Sequence, residues 1–159
     1  MYLWFKFLLE TGMRKGESLG LRWDMINLDD NHLLTPNKKD KTKLQAVPIS
    51  NNCKKILSEL RMINEKRKLD KVFRWNCGRY LGRVVNKIHE KHGIKKAGRS
   101  IHSTRKTLAT KLVKNGIDVY SVKEIMRHSD IKTTLKICYK EEVQRNVNIL
   151  DHLNEQRPF

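Results

Sequence analysis

The 159 residues fit one domain of ordinary size, long enough to bury a hydrophobic core without disulfide or metal staples. Hydrophobic residues make up 38% of the chain and charged ones 32%, and no apolar run approaches the roughly 18 residues of a membrane span. Lys and Arg number 34 against 17 Asp and Glu, a formal net charge of +17 whose self-repulsion points to a polyanionic partner, nucleic acid above all. A ribosomal protein or a repressor would share that charge. The three cysteines, Cys53, Cys77 and Cys138, are odd in number and lack CxxC spacing. That argues against a disulfide framework or a zinc site and suits a reducing, cytosolic compartment.

The opening MYLWFKFLLE carries Lys6 and Glu10 and lacks the basic leader and small-residue cleavage site of a signal peptide. Leu3, Phe7 and Leu8, widened by Trp4, predict a buried helix over 2–11 that Thr11-Gly12 breaks. A second short helix is expected over 13–21. HLLTP and LQAVPIS have strand character, separated by the polar run from Asn37 to Lys43. They predict a small antiparallel sheet with a lysine-rich hairpin tip. Apolar positions 53, 56, 57, 60 and 63 predict a helix from Asn52 to about Lys66, and Leu81, Val84, Val85 and Ile88 another from about Cys77 to His92. Gly93 and Gly98 frame a basic loop. Residues 102–114 form a helix stopped by Asn115-Gly116, followed by short helices over 119–126 and 131–139. The tail, 140–153, places Val143, Val147, Leu150 and Leu153 on one stripe. The fold class is mainly α with a small antiparallel β-sheet.

Four features carry chemistry. In TGMRKGESLGLRW, Arg14 follows a glycine break, and Glu17 is three residues on, where it can orient the guanidinium. Alone this would be an ordinary ion pair. In NKKDKTK, a lysine on a hairpin is usually only solvated, but it can also reach a minor groove or deliver a proton. In IHSTRKTLAT, His102 and Arg105 share a helix face that continues into Leu108, Ala109 and Leu112. An arginine at the end of a buried stripe is costly unless an anion meets it; the plainer alternative is a partner carboxylate. In RHSDIKTTLKICYK, Ile131, Leu135 and Cys138 fall on one stripe, so Cys138 is expected in the core as a small hydrophobe. Tyr139 is rotated about 100° away from it.

In this order, Arg…Lys…His-x-x-Arg…His…Tyr, the features resemble the catalytic domain of the tyrosine recombinases, the phage integrase family. TGMRKGESLGLRW resembles the family's first arginine box, IHSTRKTLAT its His-x-x-Arg box, and VKEIMRHSDIKTTLKICY its final box. The resemblance spans about residues 2–145 and implies a site-specific recombinase or integrase catalytic domain occupying 1–159. It also implies that the family's N-terminal DNA-clamping domain is absent. Tyr139 would attack a scissile DNA phosphate to form a 3′-phosphotyrosyl link. Arg14 and Arg105 would clamp the non-bridging oxygens, His102 and His128 would add hydrogen bonds and proton handling, and Lys41 would protonate the leaving 5′-oxygen, with no metal or cofactor. The implied partners are double-stranded DNA and further copies of the chain, a tetramer on DNA, in the cytoplasm. Alternatives are a type IB topoisomerase-like enzyme and a non-catalytic DNA-binding protein.

The chain departs from the family pattern at three places. Arg127 stands where glycine is usual before the second histidine, and Thr104 where leucine is common before the arginine of the His-x-x-Arg box. The family's tyrosine usually lies roughly nine or ten residues after that histidine; here position ten is Cys138, and Tyr139 is eleven on. Tyr139 and Cys138 are therefore both candidate nucleophiles, with the stripe favouring Tyr139. Lys39 stands beside Lys41 as candidate for the lysine role.

Overall fold

In the computed structural model, which describes residues 1–37, 40, 42–74, 78–93 and 100–155, the chain opens with helix α1, Tyr2–Thr11. Lys39, Lys41, Cys77 and Gly98, singled out in the sequence, lie outside the described residues. Trp4, Phe7, Leu8 and Thr11 bury one face of α1, while Leu3 is half-buried. The helix ends where Gly12 adopts the left-handed conformation (φ 58°, ψ 18°) and its N–H returns to the Leu8 carbonyl at 3.0 Å. A Cβ at that position would be strained, so glycine makes the stop local and sharp. Helix α2 is shorter than expected, Lys15–Gly20, with Arg14 as its extended N-cap.

A one-turn 3-10 helix, Trp23–Met25, leads into an antiparallel sheet of β1 (Ile26–Asn27), β2 (His32–Pro36) and β3 (Leu44–Pro48) in the order β1-β2-β3. The register pairs Leu33 with Val47 and Thr35 with Gln45. Leu33, Thr35 and Val47 face inward, the alternation that one buried sheet face requires. Strand β1 has only two residues, too few for a period, and was not expected.

Helix α3, Asn51–Glu65, starts at Ser50, whose hydroxyl accepts from the Cys53 N–H at 3.1 Å and donates to Glu10 at 2.7 Å. Cys53, Ile56, Leu57 and Leu60 are buried as the spacing predicts. The fifth buried position is Asn64 rather than Ile63, which is exposed. The Asn64 amide donates to the carbonyls of Lys71 and Val72 at 3.1 and 2.9 Å, so a polar side chain joins the stripe with its donors satisfied. Helices α4 (Gly78–Lys91), α5 (His102–Lys114), α6 (Val119–Met126) and α7 (Ile131–Glu155) complete the chain. The expected break between a 131–139 helix and a tail is absent, because α7 is continuous.

The residues group into two compact units, Met1–Leu108 and Ala109–Phe159. In the first, α1 packs on α3 and α2 on α4. Its core joins Trp4, Phe7, Leu33, Val47, Leu57 and Phe73, with the Phe7 and Phe73 rings edge to face at 5.1 Å. In the second, α6 packs on α7 and buries Val122 and Met126. Asp118 caps α6 by accepting from Tyr120 and Ser121, and those bonds, the one to Ser121 foremost, hold its carboxyl below the usual range. No helix among the described residues is long and apolar enough to cross a membrane.

Candidate active site

The first unit carries Arg14, His102 and Arg105. Arg14 sits on the turn that Gly12 creates. The Thr11 hydroxyl donates to the Phe7 carbonyl at 2.8 Å and accepts from the Met13 N–H at 3.3 Å, fixing that turn from its inner side. Glu17 then holds Arg14 twice, accepting from its backbone N–H at 2.8 Å and from Nη1 at 2.6 Å. The carboxylate thus sets both the start of α2 and the aim of the guanidinium, as the three-residue spacing predicts.

Arg105 is 4% exposed, the buried arginine that its place on the α5 stripe implied. Its Nη1 donates to the carbonyl of Gly12. The glycine that stops α1 therefore supplies an acceptor to the His-x-x-Arg segment, and the first two motif boxes meet at one carbonyl. A main-chain acceptor satisfies one guanidinium donor without adding a charge of its own.

His102 lies in the first turn of α5. Its backbone N–H donates to the Ser100 hydroxyl at 3.2 Å, and the Ser103 hydroxyl accepts from the Ser100 N–H at 3.0 Å. These serine bonds close the start of α5, and the His102 side chain is exposed. His102 lines a cavity of about 280 Å³ with Met13, Lys15, Val85, Asn86 and Ile101. Lys15, next to Arg14, was not singled out in the sequence; its adjacency to the arginine box was the available signal. Thr104, the departure from leucine, donates its hydroxyl to the Ile101 carbonyl at 2.8 Å, which lets a polar residue occupy a half-buried helix position.

The lysine hairpin is described only at its base. The Asn37 N–H donates to the Lys43 carbonyl at 2.8 Å. Asp40 accepts from the hydroxyl and N–H of Thr42, bonds that hold its carboxyl below the usual range.

The second unit carries His128 and Tyr139. Arg127 ends α6 in the left-handed conformation (φ 50°, ψ 48°), which accounts for glycine being the family's usual residue there. The Arg127 N–H reaches the Glu124 carbonyl at 2.9 Å and the His128 N–H reaches the Lys123 carbonyl at 3.0 Å, the paired closure that fixes the backbone of the residue after the stop. The imidazole Nδ1 of His128 lies 2.9 Å from the Thr134 hydroxyl.

On α7 the expected stripe is corrected. Leu135 is 46% exposed, whereas Thr134 is fully buried. The inward face runs through Ile131, Thr134, Cys138 and Glu141, a helical face that follows the polar Thr134 instead of the apolar Leu135. Cys138 is consequently half-buried, not in the core, and lines a cavity of about 590 Å³ with Val113, Ile117 and Arg145. Burial pushes its thiol up, away from thiolate. Tyr139 is 72% exposed. Val143, Val147 and Leu150 are exposed along the same helix; the side chain of Leu153 lies outside the described ones.

The family model for the phage integrase family matches residues 1–145. The tyrosine recombinase XerD of Lacticaseibacillus casei is 35% identical over 139 residues, covering 82% of this chain and 47% of XerD. The chain thus spans about half the length of the curated relatives it matches. Among solved structures, the XerH site-specific recombinase bound to palindromic difH substrate superposes with a TM-score of 0.72 at 24% identity, over 94% of this chain and 45% of XerH. The catalytic domain of bacteriophage HP1 integrase does so with a TM-score of 0.64 at 24% identity, over 86% of this chain and 73% of that one. At those identities the two structures speak to the fold, which they share with this chain.

Proposed function

The chain belongs to the phage integrase family, and from that premise we propose that it is a tyrosine recombinase catalytic domain that cleaves and rejoins double-stranded DNA through a 3′-phosphotyrosyl intermediate. The observation that carries the proposal is the meeting of the two arginine boxes at the Gly12 carbonyl. Preorganised cations are what a transferring phosphoryl group demands.

In the forward step the Tyr139 phenol gives its proton to the His102 imidazole and its oxygen attacks the scissile phosphorus. A P–O bond to tyrosine forms while the bond to the 5′-oxygen breaks. Lys41 gives the departing 5′-oxygen a proton. Arg14 and Arg105 stabilise the charge on the non-bridging oxygens, joined by His102 and His128. Rejoining is the same exchange reversed, so the phosphodiester energy is conserved and no nucleotide cofactor is consumed. The exposure of Tyr139 and the raised pKa of the Cys138 thiol both favour the phenol as nucleophile. The +17 charge supplies non-specific attraction to the duplex, and the exposed stripe of Val143, Val147 and Leu150 supports assembly of further copies, a tetramer, on DNA in the cytoplasm.

A nicked suicide duplex tests the proposal. Wild-type protein should form a covalent protein–DNA band and Tyr139→Phe none, while both bind the duplex with an affinity that falls steeply with salt. Reversible, salt-sensitive binding with no covalent band from wild type would instead identify a DNA-binding protein without strand-cleaving activity.

A further inference from the structure

His128 follows a helix stop, a place where the backbone can be fixed while the ring still turns. The backbone is closed by its N–H to Lys123. What remains is rotation about the two side-chain bonds, and Thr134 Oγ1, 2.9 Å from Nδ1, restrains it.

Thr134 is suited to hold a ring still. It is fully buried. As a β-branched residue within a helix it has few rotamers, so its hydroxyl is a nearly fixed point. The turn bearing it is itself pinned, because Asp130 accepts from the Lys132 N–H at 2.8 Å through its side chain and from the Thr133 N–H at 3.2 Å through its carbonyl. A buried hydroxyl left without a partner is costly, so Thr134 gains from the bond as His128 does.

We infer that Thr134 is a positioning residue for the reaction: its hydroxyl donates to Nδ1 of His128, orients the imidazole, and selects the tautomer that carries its proton on Nε2. The choice of direction follows from the ligand class and so rests on the proposed function. Phosphate oxygens only accept, and a neutral imidazole can donate to one from Nε2 only if Nδ1 is the acceptor within the protein. A carboxylate in place of Thr134 would draw the proton to Nδ1 and favour the cation. A hydroxyl fixes the ring without adding charge. The arrangement is the general one in which a third group orients the residue that handles protons.

The test uses the full chain, uniformly ¹⁵N-labelled, and reads the His128 ring nitrogens by long-range ¹H–¹⁵N correlation at a pH where the ring is neutral. Wild type should show protonated Nε2 and bare Nδ1. Thr134→Val, nearly isosteric, should show a mixture of tautomers, and Thr134→Ser should restore the wild-type pattern. On the suicide duplex, Thr134→Val should slow cleavage roughly 10- to 100-fold, less than the 10²–10⁴ of a whole acid–base group. DNA affinity should be unchanged, Thr134→Ser should recover most of the rate, and adding Thr134→Val to His128→Ala should slow it no further. An unchanged tautomer in Thr134→Val, or an equal slowing in the His128→Ala background, overturns the assignment. If wild type cleaves nothing, the proposed activity falls, and the ring-nitrogen spectra alone still decide whether Thr134 holds His128.

Discussion

Arg105, on α5, donates through Nη1 to the carbonyl of Gly12, the residue whose left-handed turn ends α1, 93 positions earlier. One turn thus serves two arginines: it places Arg14 two residues on and anchors Arg105 through its carbonyl.

That contact makes Arg105 structural as well as chemical. Arg105→Ala should abolish strand cleavage and also destabilise the fold by about 1–3 kcal/mol, the cost of a buried acceptor losing its donor. Arg105→Lys, a point charge without a planar fork, should not recover cleavage. Chemical denaturation beside a suicide-substrate assay reads both effects. A variant at full stability would mean that the Gly12 bond contributes nothing to the fold.

The Ser50 hydroxyl caps α3 and bonds Glu10 on α1. Ser50→Ala should lower stability by about 1 kcal/mol and leave DNA affinity alone. Ser50→Asp would keep the cap acceptor but face the Glu10 carboxylate, so it should rescue less than a cap residue usually does. Urea midpoints of the three proteins provide the comparison.

How much of this was legible in the sequence depends on range. Arg14 with Glu17, the Asn115-Gly116 stop and most of the α3 stripe are set by residues within one helical turn, and each is where the spacing put it. The Arg105–Gly12 bond spans most of a unit and left only one local trace, an arginine at the end of an apolar stripe. Counting apolar positions also misread two faces. Asn64 and Thr134 are buried polar residues whose partners, the Lys71 and Val72 carbonyls and His128, lie beyond the helix that carries them. A two-residue strand such as β1 has no period to detect. Burial did place Arg105 inside and Tyr139 outside, as their helical faces required.

Arg127 occupies a left-handed position that costs an ordinary residue about 1–2 kcal/mol. Its Nη1 donates to the Ile125 carbonyl at 3.1 Å, a bond worth about 1 kcal/mol. Arg127→Gly relieves the strain and loses the arginine's side-chain bonds. Arg127→Val keeps the strain, worsened by branching, and loses the same bonds, so it should melt well below the glycine variant. Differential scanning calorimetry separates them, and a valine variant as stable as the glycine one would remove backbone strain from the explanation.

Cys53 is buried among apolar neighbours, which pushes its thiol up to about 12 from an ordinary value near 9. The neutral thiol is therefore favoured in the folded state. Its contribution is fully present below about pH 9 and is lost as pH rises from there through 12. Stability should fall over that alkaline window, and Cys53→Ala, less stable at neutral pH, should show a shallower decline. Equal alkaline slopes for the two proteins would assign the loss to other groups.

Peptide mapping of a trapped protein–DNA complex by mass spectrometry tests the identity of the nucleophile most directly. After nuclease and protease digestion, the nucleotide remnant should sit on Tyr139 as an aryl phosphodiester, and Cys138→Ser protein should give the same adduct. A remnant on Cys138 as a phosphorothiolate, with Tyr139→Phe still trapping DNA, would contradict the account.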